Sequence, residues 1–285
     1  MNRDCIECFH KQADKLFSKY EIKHEIADEI KSRFNSFVES HNDLKSPEAG
    51  CFMHRMIRKA TCVEDPYEEG KIYYNELLLK IENDIRLDIH NSSDTFQRAL
   101  RYALAGNIID FAPGKSFDVL KTLSEVVTKE LEIDHSDELQ RQLKIAKNVL
   151  YLGDNAGEIV LDKLFIENIH HPDLTFVVRG HKIINDITLE DAQKVGLTNN
   201  VNVISNGYDA PSTLVNRCSQ EFREAYDKAD IIISKGQGNL EGLIHEKDKK
   251  IFFLLMIKCK VIADLIDVNE KSIVVMYNQK INRGL

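Results

Sequence analysis

Hydrophobic residues in the first half of the chain recur with a helical period. Ile6, Phe9, Ala13, Leu16, Phe17 and Tyr20 fall on one stripe, the 3.6-residue repeat of an amphipathic helix. Similar stripes run through 30–38, 73–89, 96–109 and 117–131. Turn signals separate them at Ser46-Pro47, Asp65-Pro66, Asn91-Ser92-Ser93 and Pro113-Gly114. Few segments before residue 146 read as strands.

From Asn148 onward the pattern changes. Short apolar runs rich in β-branched residues recur at 149–152, 174–178, 201–204, 231–233, 251–255 and 273–276, with helical stretches between most of them. Strands that are apolar throughout, linked by helices, belong to a parallel sheet covered on both faces. The pattern predicts an α/β fold: a helical N-terminal region over 1–146, packed against a Rossmann-like, doubly wound, mostly parallel sheet over 147–285 that carries the chemistry.

Composition narrows the partners. The chain has 285 residues, 43% hydrophobic and 29% charged, an ordinary globular balance. With 38 basic and 46 acidic side chains its net charge is −8, so a general attraction to nucleic acid or anionic membrane is not expected. The N-terminus, Met1-Asn2-Arg3-Asp4, is too charged for a signal-peptide core. The longest apolar run, 251–257, has strand length and falls far short of the roughly 20 residues that span a bilayer. A cytoplasmic location is expected. In a reducing compartment the six cysteines, at 5, 8, 51, 62, 218 and 259, are not expected to form disulfides. Cys5 and Cys8 form a CxxC pair, half of a tetrahedral metal site, and the sequence offers no second half at a matching spacing. A structural role and a metal or redox role both stay open.

Ligands of open α/β sheets bind beyond the C-terminal strand ends, and here those ends are polar and glycine-rich. The first is followed by Gly153-Asp154-Asn155-Ala156-Gly157-Glu158 and a helix. Asp154 and Asn155 offer oxygen atoms to a cation, and the helix start offers N–H groups to a phosphate. The second is followed by Arg179-Gly180 and then Asp186. Thr188 and Asp191 read as a capping box, which gives Asp191 a structural task and leaves Asp186 free to complete an Asp/Asn/Asp oxygen set. Such hard donors favour Mg²⁺ or Mn²⁺ over zinc. Arg179 is a candidate to neutralise an anionic substrate, or a member of an ion pair. The fourth is followed by Ser234-Lys235-Gly236-Gln237-Gly238-Asn239, a turn that suits phosphate oxygens, opening into a helix from Leu240. Lys258 adds a second cation at the same edge.

Taken together, Gly153-Asp154-Asn155-Ala156-Gly157-Glu158, Ile184-Asn185-Asp186-Ile187-Thr188 and Ser234-Lys235-Gly236-Gln237-Gly238-Asn239 resemble the damage-control phosphatase family. Cys5-Ile6-Glu7-Cys8 is similar to its CxxC-bearing, mostly prokaryotic branch, as are Asp65-Pro66-Tyr67 with Lys71 and Asn75, and the run from Gly106 to Phe111. The likeness extends in order from residue 5 to about 262. It implies a divalent metal, Mn²⁺ or Mg²⁺ with Co²⁺ or Ni²⁺ as alternatives, held by Asp154, Asn155 and Asp186. It also implies phosphate contacts from Lys235, Gly236, Gln237, Gly238, Asn239 and Lys258. From the residues themselves, Glu158 and Arg179 are further candidate substrate contacts, and Asp154 or Asp186 is the candidate catalytic carboxylate that positions the attacking water. The implied activity is hydrolysis of phosphate esters of small, sometimes damaged, metabolites. Other branches carry Arg-Thr-x-Lys where this chain has Leu255-Met256-Ile257-Lys258, so a sugar-phosphate preference is not carried over. Asn107 and Asp110 are candidates to close over the substrate from the helical half.

Two other readings compete. An S-adenosylmethionine-dependent methyltransferase would use a glycine motif like 153–157, but wants an acidic residue where Arg179-Gly180 stands. A non-catalytic metal- or nucleotide-binding regulator would bind metal without turnover. A nicotinamide enzyme is weaker, since the 236–241 turn lacks a third glycine. The expected partner is a small phosphorylated metabolite, with oligomeric state left open.

Overall fold

The computed structural model describes residues 1–107 and 119–280. Three N-terminal helices, α1 (Arg3–Lys19), α2 (His24–Glu39) and α3 (Ser46–Thr61), bury their apolar stripes against one another, with Phe9, Phe34 and Ile57 at the centre. Ser46-Pro47, read from sequence as a turn, opens α3, because proline fits the first turn of a helix, where its missing N–H has no partner to lose.

The later helices of the first half belong to a different core. Helices α4 (Glu68–Asn91), α5 (Thr95–Gly106), α6 (Val119–Val127) and α7 (Ser136–Leu143) share one cluster with α8 (Glu158–Ile169) and one face of the sheet, where Tyr151, Phe165 and Phe176 are fully buried. Helices α10 (Gln220–Lys228), α11 (Gly236–Leu243) and α12 (Lys260–Ile266) cover the other face; a short α9 (Leu189–Lys194) follows the second crossover. Residues before 146 are therefore not one layer: α1–α3 pack on their own, and α4–α7 coat the sheet.

The sheet has seven strands: β1 (Ile133–Asp134), β2 (Val149–Leu152), β3 (Leu174–Val178), β4 (Asn202–Ser205), β5 (Ile231–Lys235), β6 (Ile251–Met256) and β7 (Ile273–Tyr277). Their order is β1-β7-β6-β5-β2-β3-β4. Strands β2 to β6 are mutually parallel, and β7 runs antiparallel to β6. The two-residue β1, parallel to β7, comes from before residue 146, where the pattern showed no clear strand. Strand β2 pairs with β3 on one side and β5 on the other, so the crossovers depart in opposite directions from the β2/β5 boundary. That boundary is the topological switch point, and it opens a crevice at the C-terminal edge.

Candidate active site

The residues that close β2 sit in this crevice. Gly157, at φ +75°, turns the chain into α8, and its N–H donates to Asn75 Oδ1 of α4 at 2.6 Å. The loop after β3 returns to the tip of β2: Ile187 N–H donates to Asp154 O, Ala156 N–H donates to Asn185 O, and Asn155 and Asp186 form an isolated antiparallel bridge. The backbone thus brings Asp154, Asn155 and Asp186 together across some thirty positions of sequence.

The two carboxylates lie around one guanidinium. Arg179 Nε donates to Asp186 Oδ2 at 2.6 Å, and its Nη2 is 3.7 Å from Asp154 Oδ1. The same Arg179 donates to Asn239 Oδ1 at 3.1 Å and Thr213 Oγ1 at 3.4 Å. It is buried and surrounded by acceptors, so of its two expected roles the ion pair is the one observed. Asp186, which seemed free of other duties, is its partner. Burial pushes the Asp154 carboxyl up to about 8, with Asp186 and then Glu158 adding to the rise and Arg179 and Lys258 opposing it. Three acidic groups and too little positive charge share a buried crevice.

A second network lies beneath the first. Asn155 Nδ2 donates to Asp154 Oδ2 at 2.6 Å and to Glu158 Oε2 at 3.0 Å. Asn107 Nδ2 reaches the same two oxygens at 3.2 Å each, while its Oδ1 accepts from Met256 N–H. Lys235 Nζ donates to Glu158 Oε1 and Asp162 Oδ1, both at 2.5 Å, and to Ala103 O at 2.9 Å. Burial pulls this ammonium's pKa down, and Asp162 and Glu158 more than reverse that, leaving it above its ordinary value. Tyr151 OH completes the set by donating to Asp162 Oδ1 at 2.7 Å.

These contacts correct several expectations. Lys235 is fully buried with all three donor positions engaged, so it braces Glu158 and does not present charge to a phosphate. Glu158 faces Asn155, Asn107 and Lys235. Asn239 donates to Gly153 O and Lys235 O and accepts from Arg179 and Thr213, a structural tie between loops. Helix α11 starts at Gly236, four residues before the expected Leu240, and no side chain caps it. The N–H groups of Gly236, Gln237 and Gly238 therefore open its first turn beside Asp154. Gly236 takes φ +79°, and a Cβ there would meet Asp154 Oδ2 at 1.9 Å. Gln237 Oε1 accepts from Lys258 N–H at 3.1 Å, and the exposed Lys258 side chain acts electrostatically on Asp154. Asp110 lies outside the described residues.

Asp162 and Thr213 were not singled out from sequence. Asp162 is fully buried in α8 one turn after Glu158, and two carboxylates four residues apart on the buried side of one helix are themselves the missed signal. The Thr188–Asp191 box forms, but Asp191 also takes Lys71 Nζ at 2.8 Å, and Lys71 pairs with Asp65 at 3.3 Å. Helix α4 thereby fastens both loops that flank the crevice, through Asn75 and Lys71.

Two carboxylates and an amide make a hard, oxygen-rich donor set. The donor set and its unrelieved negative charge fit a cation such as Mg²⁺ or Mn²⁺. Asn155 suits it too: its Nδ2 is committed to Asp154 and Glu158, and its Oδ1 takes no hydrogen bond among the described residues. Among those residues no three His, Cys, Asp or Glu side chains form a metal-holding group.

A doubly wound sheet with a buried acidic crevice at its switch point places the chain among α/β proteins that hold charged ligands on strand-end loops. Comparison with known proteins is more specific. The family model of the damage-control phosphatase ARMT1-like domain matches residues 1–274, and the chain belongs to this family. It is 36% identical to a damage-control phosphatase of Pyrococcus horikoshii over 235 residues, 81% of each chain. It is 33% identical to one of Archaeoglobus fulgidus, covering 76% of this chain and 77% of the relative. An uncharacterized Methanocaldococcus jannaschii protein is 33% identical over 93% of this chain and 91% of its own. The crystal structure of a DUF89 family protein from Pyrococcus horikoshii superposes with a TM-score of 0.89 at 31% identity, covering 98% of this chain and 99% of the other. Among the described residues no helix is long and apolar enough to cross a membrane.

Proposed function

We propose that this chain is a metal-dependent phosphatase that hydrolyses phosphate esters of small metabolites, normal or damaged. Asp154, Asn155 and Asp186 would hold a hard divalent cation, Mn²⁺ or Mg²⁺ in the first instance and Co²⁺ or Ni²⁺ as substitutes. The observation that carries the reading is the backbone bridge that places Asp186 against Asn155, with both carboxylates gathered on one guanidinium.

When bound, such a cation supplies Lewis acidity toward a phosphoryl oxygen and a more acidic water. The chain supplies the rest. The open N–H groups at the start of α11 face the crevice and suit the equatorial oxygens of a transferring phosphoryl group. Lys258 adds a mobile positive charge at the same edge. Arg179 orients Asp186 and limits the repulsion between the two carboxylates. One of those carboxylates positions the attacking water. No Asp-x-Asp nucleophile motif is present, which favours direct attack by water over a phosphoaspartate. The partner is a small phosphorylated metabolite; the net charge of −8 disfavours nucleic acid or an anionic membrane. Six free thiols suit a cytoplasmic setting.

The test is metal content and turnover together. Purified protein should hydrolyse members of a phosphometabolite panel when given Mn²⁺ or Mg²⁺, and stop on chelation. The Asp154→Ala protein should lose both tight metal retention and hydrolysis. Unchanged metal content and turnover in that variant would remove the proposal.

A further inference from the structure

Helix α3 and two strand-end loops enclose a cavity that the phosphatase reading leaves unused. It measures about 340 Å³, within the range of small-ligand sites, and lies at the C-terminal edge of the sheet. Arg55 and Arg58 come from α3, His181 and Lys182 from the loop after β3, and Tyr208 and Asp209 from the loop after β4. Both guanidiniums converge on Asp209. Arg55 Nε and Nη2 donate to its two oxygens at 2.9 and 2.5 Å, and Arg58 Nη2 donates to Oδ2 at 2.7 Å. Arg55 also lies over the Tyr208 ring, 5.5 Å from its centre. Arg58 Nη1 donates to Lys182 O at 2.5 Å, so α3 holds the loop after β3 by its backbone. Lys182 Nζ takes no hydrogen bond or ion pair among the described residues. The exposed Glu64 is the second acidic group on the wall. Leaving His181 aside, Arg55, Arg58 and Lys182 face Glu64 and Asp209, an excess of positive charge in a chain whose net charge is −8.

One loop joins this cavity to the candidate metal site. It starts at Arg179, whose guanidinium holds Asp186, passes the cavity at His181 and Lys182, and returns to Asp186. Asp186 N–H donates to Ile183 O, and Ile184 stands at φ +45°, a left-handed conformation that β-branched residues avoid. This turn folds the loop back, so the Cα atoms of Lys182 and Asp186 are less than about 14 Å apart. Gly180 fits the loop closely to its neighbour: its N–H donates to Tyr208 O, and a Cβ there would meet Gly207 C at 2.3 Å.

We propose that the cavity is a subsite for a second anionic group of the substrate, a phosphate or carboxylate remote from the ester that is cleaved. The inference rests on the phosphatase reading and adds a substrate class to it: small metabolites with two anionic groups. One group meets the first turn of α11 beside Asp154; the other meets Lys182 Nζ and Arg55 Nη1, the donors left open on the cavity wall. A guanidinium already fixed by a carboxylate keeps its planar donors oriented, so it receives an oxyanion with little further ordering.

The experiment reads binding without turnover. The full chain, supplied with Mg²⁺, is titrated calorimetrically with pentane bisphosphonate and with pentylphosphonate, whose carbon–phosphorus bonds resist hydrolysis. The bisphosphonate should bind about tenfold or more tightly than the monophosphonate, because its second group binds from a tethered position. Lys182→Glu should remove most of that advantage; the half-buried ammonium has no partner to orphan, so the variant should fold. Lys247→Glu, the same change of charge at an exposed position ahead of β6, should keep it. Equal affinity for the two ligands in the wild-type protein overturns the proposal, as does an advantage that survives Lys182→Glu. So does a Lys182→Glu protein that binds both ligands more weakly by the same factor, the mark of a site for free inorganic phosphate. Failure of the phosphatase reading shows separately, as a phosphometabolite panel without turnover, while the difference between the phosphonates still reports on the cavity.

Discussion

Lys235, Glu158 and Asp162 show how one residue sets the state of its neighbours. All three side chains are fully buried, and the single ammonium compensates two carboxylates. Removing one member of a buried ionic set leaves an uncompensated charge, which costs about 3–5 kcal/mol. Lys235→Met should therefore destabilise the chain by that order in urea denaturation. Adding Asp162→Asn to the same protein should recover part of the loss, since one of the two orphaned charges is gone. A surface-type effect below about 1 kcal/mol for Lys235→Met would contradict the burial of this pair. His54 gives a pH signal from the same physics. It is buried in α3 with no partner for Nε2 among the described residues, and burial, then Arg58, lower its pKa from 6.5 to about 4. The unfolded chain takes up a proton below about 6.5 and the folded chain only below about 4. Stability should thus fall as pH drops through that window, by roughly 3 kcal/mol at the acid end. His54→Leu should flatten that part of the profile in denaturant titrations at stepped pH.

Among the elements, the approach of α11 to β2 decides the crevice. Gly236 brings the first turn of α11 so close to the tip of β2 that a methyl group would overlap Asp154. Gly236→Ala should displace that carboxylate while leaving the far-ultraviolet circular dichroism spectrum unchanged. A displacement of about 1 Å at a catalytic group lowers kcat/KM on the order of a hundredfold. Wild-type turnover in this variant would show that Asp154 need not stand where it does. The same geometry explains what a reader of the sequence sees and misses. Strands β2 to β7 are visible because each carries a short apolar run, interrupted only by Thr175 in β3 and Asn202 in β4, and the polar residues after them are visible because the runs end sharply. The convergence of 154, 155 and 186 follows from the parallel order. The direction of the Lys235 side chain does not. Lys235 closes β5, where successive side chains alternate between faces, so it shares the face of Ile231 and Ile233, which holds Asp162 and Ala103. Strand β1 is two residues long and owes its conformation to pairing with β7, so no local pattern announces it. Helix α3 escaped notice because its opening Ser-Pro reads equally well as a turn.

For the molecule as a whole, the crowded carboxylates are a liability that the proposed cation would convert into stability. Asp154, Asp186 and Glu158 crowd one crevice of a chain that already carries a net charge of −8, and among the described residues only Arg179 pairs directly with Asp154 and Asp186. An ion that binds only the folded state stabilises it by mass action, about 2.7 kcal/mol at a concentration a hundred times its Kd. Mn²⁺ should therefore raise the melting temperature of the wild-type protein in a dose-dependent way. The Asp154→Ala protein should show no such rise. Without metal the order should reverse: deleting a buried carboxylate that is repelled by two others removes a cost, so metal-free Asp154→Ala should melt at or above metal-free wild type. This crossing separates a cation site from a structural ion-pair cluster. If Asp154 served chiefly to anchor Arg179, the variant would melt lower in the absence of metal, and Mn²⁺ would act on both proteins alike. Differential scanning fluorimetry of the two proteins, with and without Mn²⁺, distinguishes these outcomes by sign.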